Sequence, residues 1–217
     1  MKGLLIKDFR LLLQQKYFLL FMLVAAVVLN FQIGEAFAIG YMTSLCSFFA
    51  ISSVIYDESE NGYPFLLTLP VMREAFVREK YLFAVLCNIG TWFIAVLMSG
   101  TSKVISEGRF PEMEFYSGII LVIPFFLVMA AVVFPFQFKF GADRGKFVFL
   151  IALGFLFLIG YAVSKACDAL GIDWEKMFTS LSALWRGVTE LLIFVVSAAI
   201  VLVSCAISGK IMKRREF

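Results

Sequence analysis

The segment from Asp57 to Tyr81 carries charges of both signs around an apolar centre, a pattern typical of a surface that binds another protein. Its apolar centre consists of Tyr63, Pro64, Phe65, Leu66, Leu67, Thr68 and Leu69, and its charged flanks of Asp57, Glu58, Glu60, Arg73, Arg78 and Lys80. Apolar side chains exposed in a cluster indicate a surface that a partner or a membrane covers. The segment therefore predicts either a helix docked in a separate soluble protein or a loop packed on the chain's own helices or the membrane.

Catalytic and cofactor chemistry finds little support in the sequence. The chain contains no histidine, which excludes His-dependent catalysis and most transition-metal sites. The stretch from Gly141 to Lys146 has the glycines and the lysine of a phosphate loop, but only three residues separate the glycines and Phe147 follows the lysine. We therefore expect no catalytic residue, no metal site and no bound cofactor, and we expect that this chain does not hydrolyse ATP.

The composition is that of a membrane protein. Hydrophobic residues make up 62% of the chain and charged residues 16%, whereas about half and about a quarter are usual in soluble domains. The four cysteines lie far apart, and three of them fall inside apolar runs, where a free cysteine behaves as a small hydrophobic residue. The sequence therefore predicts one polytopic membrane domain, residues 1–217, without a disulfide framework.

Six segments are long and apolar enough to cross a bilayer as helices, which requires about 20 residues each. They are residues 17–33, 36–55, 81–100, 116–138, 147–164 and 188–208. Only Gly34 and Glu35 separate the first two, which predicts a tight helical hairpin. Few polar residues lie inside these segments. Residues of this kind, such as Asn30, Ser47 and Asn88, more often form contacts between helices than line a transport path.

The positions of Lys and Arg predict the orientation, because cytoplasmic segments carry an excess of these residues. With the N-terminus inside, fourteen of the 19 Lys and Arg residues fall in inner segments. We therefore expect a multi-pass protein of the bacterial plasma membrane with both termini and residues 57–80 in the cytoplasm.

Two short helices are predicted outside the spans. Residues 1–16 place Leu5, Phe9 and Leu12 on one side of a helix and Lys7, Asp8 and Arg10 largely opposite. This pattern indicates a helix that lies in the inner membrane interface with its basic residues towards lipid. The alternative is a simple extension of the first span.

The second predicted helix lies in the outer segment 165–187. Its apolar stripe follows helical spacing and consists of Trp174, Phe178, Leu181 and Trp185. Gly187 should end it, and its Trp rings should anchor it in the outer interface. Such a helix could gate an exit or brace the last two spans.

These features together resemble a known family. Leu66, Leu67, Thr68, Leu69, Pro70 and Val71, followed by Arg73, Val77, Lys80 and Tyr81, resemble the signature of half-size bacterial ABC transporter permeases of the type-2 exporter class. The opening residues 1–8 look similar as well, and Met72 departs from the small polar residue usual at that position. Within the class, the resemblance extends to the membrane subunits of Gram-positive exporters of phenol-soluble modulins and other amphipathic peptides.

The resemblance implies a coupling helix formed by residues 63–69, seated in a groove of an ATP-binding-cassette ATPase. Asp57, Glu58 and Glu60 would then face basic residues of that ATPase. It also implies a second permease copy, as a homodimer in the first instance or else a heterodimer, with ATP and Mg bound by the partner subunit. Membrane lipid is the other expected partner, and nucleic acid is not expected.

The resemblance also implies export of hydrophobic or amphipathic cargo, peptide toxins among them. The many Phe residues and the lack of an ionisable group at mid-span agree with cargo that carries no unpaired charge, although Phe facing lipid would give the same composition. The alternative is a non-transporting membrane subunit that anchors or recruits a soluble partner.

Overall fold

The computed structural model describes residues 2–58, 72–107, 119–169 and 174–214. Within these ranges the chain forms helices α1 (Lys2–Gln14), α2 (Lys16–Gln32), α3 (Glu35–Glu58), α4 (Arg73–Glu107), α5 (Val122–Ala169) and α6 (Trp174–Arg214). No strand occurs among the described residues. The prediction of an all-α protein is therefore confirmed for this part of the chain.

Four stretches of helix are long and apolar enough to cross a membrane: Glu35–Glu58, Arg73–Ile105, Val122–Gly141 and Val188–Arg214. A fifth is obtained if the pair Gly3–Gln14 and Lys16–Gln32, bent by 66°, counts as one span. The described residues thus support four or five spans, and the predicted number of six is not confirmed.

Two glycines with positive φ mark the changes of chain direction. Gly34 (φ 130°) lies between α2 and α3, and its NH donates to the carbonyl of Leu29 at 3.2 Å. Because α2 and α3 also pack against each other, the predicted tight hairpin is confirmed. Gly141 (φ 81°, ψ 178°) interrupts α5 in a conformation that is essentially restricted to glycine. This break falls in the predicted inner loop between the fourth and fifth apolar segments.

Two helices extend well beyond the membrane-spanning length. Helix α4 has 35 residues, so its length is about 52 Å, against about 30 Å for the hydrocarbon core of a bilayer. Helix α6 has 41 residues and continues through Gly187 without a break. The prediction that Gly187 ends a separate short helix is therefore wrong. A glycine inside a helix costs only about 1 kcal/mol relative to alanine, so it does not by itself end one.

The largest hydrophobic core lies where α1, α3, α4, α5 and α6 meet. It is built around the buried side chains of Phe83, Phe134 and Phe138, and Leu4 and Met212 join it from the two ends of the chain. Edge-to-face ring contacts join the helices, with centroids 5.3 Å apart for Phe9–Phe83 and 4.8 Å apart for Tyr81–Phe134. A smaller core, which includes Met22, Ile39 and Ala95, joins α2, α3 and α4.

Buried polar side chains connect neighbouring membrane helices. Asn30 Nδ2 donates to Ser102 Oγ at 2.9 Å between α2 and α4. Ser47 Oγ donates to Asn88 Oδ1 at 2.9 Å between α3 and α4. The prediction that these residues act between helices is confirmed for these two pairs. In a bilayer such contacts supply directional interactions that apolar packing lacks.

Candidate functional site

A cluster of four charged residues lies where α1, α3 and α4 meet, next to the point where residues 59–71 leave α3. We call Lys7, Asp8, Asp57 and Lys80 the ion cluster and residues 59–71 segment 59–71. Lys80 Nζ lies 2.5 Å from both Asp8 Oδ2 and Asp57 Oδ2. Lys7 Nζ pairs with Asp57 Oδ1 and lies 3.3 Å from Asp8 Oδ1. Each ammonium group therefore contacts both carboxylates.

The cluster is buried, which makes its charges interdependent. Lys80 and Asp8 are fully buried, Asp57 is 7% exposed, and Lys7 is 33% exposed. Lys80 Nζ also donates to Ser53 Oγ at 3.3 Å and lies 5.4 Å from the centre of the Phe76 ring. Transferring a charge out of water costs several kcal/mol unless it is paired and hydrogen-bonded. Two cations and two anions in mutual contact meet that requirement.

The sequence produces this cluster through helix geometry. Asp8 lies one helical turn after Leu4, which belongs to the main core, so both project from the same side of α1. Lys80 lies one turn after Phe76 on the buried side of α4. Asp57 is the penultimate residue of α3. Segment 59–71 therefore begins two residues after one member of the cluster, and the chain returns through α4 to another.

Glu79 is a further buried carboxylate beside the cluster. Its side chain is 1% exposed, and neither carboxyl oxygen has a hydrogen-bond partner in the described part of the chain. It interacts electrostatically with Lys80 and with the carboxylates of the cluster. It is the one carboxyl group at this junction that has no direct ion pair among the described residues.

The start of α4 is attached separately to the end of α6. Arg73 Nη1 donates to the carbonyls of Met212 at 3.4 Å and Lys213 at 3.3 Å. Glu74 forms an ion pair with Lys213, and Arg78 lies 3.6 Å from Glu74. These side chains are 40–65% exposed, so solvent screens their charges and each pair contributes little.

A buried network of hydroxyl groups is centred on Tyr81, the residue that follows Lys80 in α4. Tyr81 Oη lies 2.6 Å from Ser204 Oγ and 2.9 Å from Ser208 Oγ. Ser204 in turn donates to the carbonyl of Ala131. Helices α4, α5 and α6 thus share one hydrogen-bonded group beside the ion cluster.

Most of the predicted docking surface lies outside the described residues. This applies to Glu60 and to the apolar centre, Tyr63, Pro64, Phe65, Leu66, Leu67, Thr68 and Leu69, whose role stays a prediction. Glu58 is the last residue of α3 and is half-buried. The expectation that Asp57 faces a partner protein is wrong, because Asp57 is buried between two lysines of its own chain.

The predicted interface residues have different outcomes. Phe9 and Leu12 are half-buried against the main core, and Leu5 is also half-buried, so the apolar side of α1 lies partly on the protein itself. Asp8 and Lys7 belong to the ion cluster, so they do not form the free polar face that the sequence predicted. The predicted outer stripe lies on α6, and the structure does not describe its side chains, which are Trp174, Phe178, Leu181 and Trp185.

Sequence reasoning missed the ion cluster. It assigned Asp57 and Lys80 to an exposed segment and Asp8 to a solvated helix face, although opposite charges next to apolar runs were visible at all three positions. Among the described residues, no group of three or more acidic or Cys side chains is arranged to hold a metal ion.

Comparison with known proteins gives one match. Residues 3–213 match the family model described as ABC-2 family transporter protein. Searches of curated proteins and of solved structures found no match. The match covers nearly the whole chain and agrees with its several apolar helices. The chain is therefore a multi-pass membrane permease that belongs to the ABC-2 transporter family, whose members work with ATPase partner subunits.

Proposed function

We propose that this chain is the permease of an ATP-driven exporter that moves hydrophobic or amphipathic molecules, amphipathic peptides in particular, out of the cell. The observation that carries the proposal is an open apolar groove of about 450 Å³ between α5 and α6. Its walls include Leu121, which directly precedes α5, Phe125 and Val128 of α5, and Leu192, Val196 and Ile200 of α6. An apolar groove lined by no charged side chain favours apolar cargo, since a charge seated against it would lose part of its hydration without gaining a partner.

The proposed energy source is a soluble ATPase that binds segment 59–71. Family membership supports a partner ATPase in general. The apolar residues 63–69 between charged flanks supply a surface that such a partner would cover. In this proposal ATP and Mg are bound by the partner, and closure of the ATPase subunits displaces segment 59–71 of the permease.

Two permease copies form the proposed pathway. In this proposal a second copy packs closely at Gly154, which is exposed and has no side chain. Small residues allow membrane helices to pack closely. A homodimer is the simplest arrangement, with both termini and segment 59–71 in the cytoplasm, in agreement with the excess of Lys and Arg in those segments.

Transport into inside-out vesicles tests the proposal. Vesicles that contain the permease and its ATPase should accumulate a fluorescently labelled amphipathic helical peptide when ATP is added. A scrambled peptide of equal charge that cannot form an apolar face serves as the matched control and should accumulate less. ATP hydrolysis without accumulation of either peptide would contradict the export proposal and favour a subunit that only recruits the ATPase.

A further inference from the structure

We propose that the ion cluster is a rigid joint that makes α1, α3 and α4 move as one body when a partner displaces segment 59–71, and that Lys80 is its central positioning residue. This inference rests on the proposed function, since it assigns the path by which that displacement reaches the membrane helices.

The first argument is the position of the cluster along the chain. Segment 59–71 is held at one end by α3, which ends at Glu58, and at the other by α4, which begins at Arg73. Asp57 lies two residues before the segment and Lys80 about two turns into the helix that follows it, and the two contact each other at 2.5 Å. A force on the segment acts on both helices, and the parts of α3 and α4 nearest the segment cannot separate without breaking this ion pair.

The second argument is that the same ammonium group holds a third helix. Lys80 Nζ contacts Asp8 of α1 at 2.5 Å, and Lys7 of α1 pairs with Asp57 of α3. The other described contacts of α1 include the edge-to-face packing of Phe9 on Phe83 of α4. Without the cluster, movement of the segment would reach α3 and α4, but the buried charged contacts that tie α1 to both helices would be gone.

The third argument is burial. Ion pairs at the surface are screened and contribute little, and the contacts of Glu74 with Arg78 and Lys213 are of that kind. The contacts of Lys80 are not, because Lys80 and Asp8 have no exposed surface. Separating them would leave a buried charge unpaired, which is a strong penalty. The ion cluster therefore resists relative movement of α1, α3 and α4 more strongly than the exposed ion pairs of Glu74 resist movement of α4 against α6.

A triple variant that leaves only Lys7 charged in the cluster tests the joint. Asp8→Asn/Asp57→Asn/Lys80→Met keeps side-chain volume but removes three of the four charges of the ion cluster, and Lys16→Met, an exposed lysine at the start of α2, is the matched control. We would reconstitute each with the ATPase in liposomes and measure labelled peptide transported per ATP hydrolysed. The triple variant should bind the ATPase and lower this ratio about tenfold, within the range of coupling between distant sites. Lys16→Met should leave the ratio unchanged.

The outcomes separate the joint from the proposed function. An ATPase-bound triple variant with an unchanged ratio would overturn the joint and leave the export proposal standing. A wild-type protein that holds no ATPase, or that hydrolyses ATP without moving peptide, would overturn both.

A measurement on the unmutated cluster covers the case in which the triple variant does not fold. Spin labels replace three exposed residues, Ile6 of α1, Tyr56 of α3 and Arg78 of α4, pairwise in a chain whose native cysteines are substituted. The three distances should be the same in the nucleotide-free and ATP-bound complexes. A change of more than about 2 Å in the distance from α1 to α3 or to α4, which is beyond the usual adjustment of a rigid unit, would overturn the joint.

Discussion

Replacing Lys80 with methionine should be the most damaging single substitution of a charge in the described part of the protein. The change keeps the length of the side chain and removes the ammonium group that contacts Asp8 and Asp57 at 2.5 Å each. Removing one partner of a buried ion pair costs about 3–5 kcal/mol, because the remaining charge has neither water nor a partner. Lys7 still contacts both carboxylates, so we expect a loss near the lower end, about 3 kcal/mol.

The assay is equilibrium unfolding of the purified permease in mixed micelles with increasing dodecyl sulfate. Lys210→Met, a change at an exposed lysine near the end of α6, is the control and should stay within about 0.5 kcal/mol of wild type. The triple variant Asp8→Asn/Asp57→Asn/Lys80→Met should recover part of the loss, because its three uncharged groups need no counter-charge and the remaining Lys7 reaches solvent. A loss below about 1 kcal/mol for Lys80→Met would refute the reasoning, since a cation that is solvated or already replaceable would give that result.

Two further substitutions test other parts of the fold. Tyr81→Phe removes the hydroxyl that contacts Ser204 and Ser208 and should lower the free energy of unfolding by about 1–2 kcal/mol in the same assay. Tyr17→Phe, at a 90% exposed position, is the control and should have no measurable effect. Equal effects of the two changes would contradict the buried network. Gly141→Ala should destabilise by about 1–3 kcal/mol because its φ of 81° and ψ of 178° disfavour any residue with a Cβ, and an unchanged stability would mean that the break in α5 is absent.

Local features of the sequence predicted local structure well. Apolar runs of suitable length became helices, and Gly34 between two such runs became the turn of a hairpin with positive φ. The break at Gly141 fell in a predicted loop. Each of these results depends on residues close together in the chain, and periodicity and glycine placement report on that range directly.

The ion cluster could not be predicted in the same way, because its members are 49 and 23 residues apart and meet only after α1, α3 and α4 pack. On a helical wheel Asp8 falls beside Leu4, yet a lone carboxylate on an apolar side gives no indication of its counter-charge. The pattern therefore favoured placing Asp8 on the solvated face. The prediction from Gly187 failed for a different reason. One glycine destabilises a helix only modestly, and the continuous helix around Gly187 outweighs that cost in free energy.

Binding of the ATPase is the measurement that tests the account most directly. Affinity-purified wild-type permease should retain its ATPase, whereas Phe65→Asp/Leu66→Asp, which places two carboxylates in the apolar centre of segment 59–71, should lose it. Ile105→Asp makes the same kind of change at an 86% exposed position at the other end of α4 and should keep the ATPase. Retention of the ATPase by a folded Phe65→Asp/Leu66→Asp variant would contradict docking at this segment, and its absence from wild type would contradict the ATP-driven permease itself.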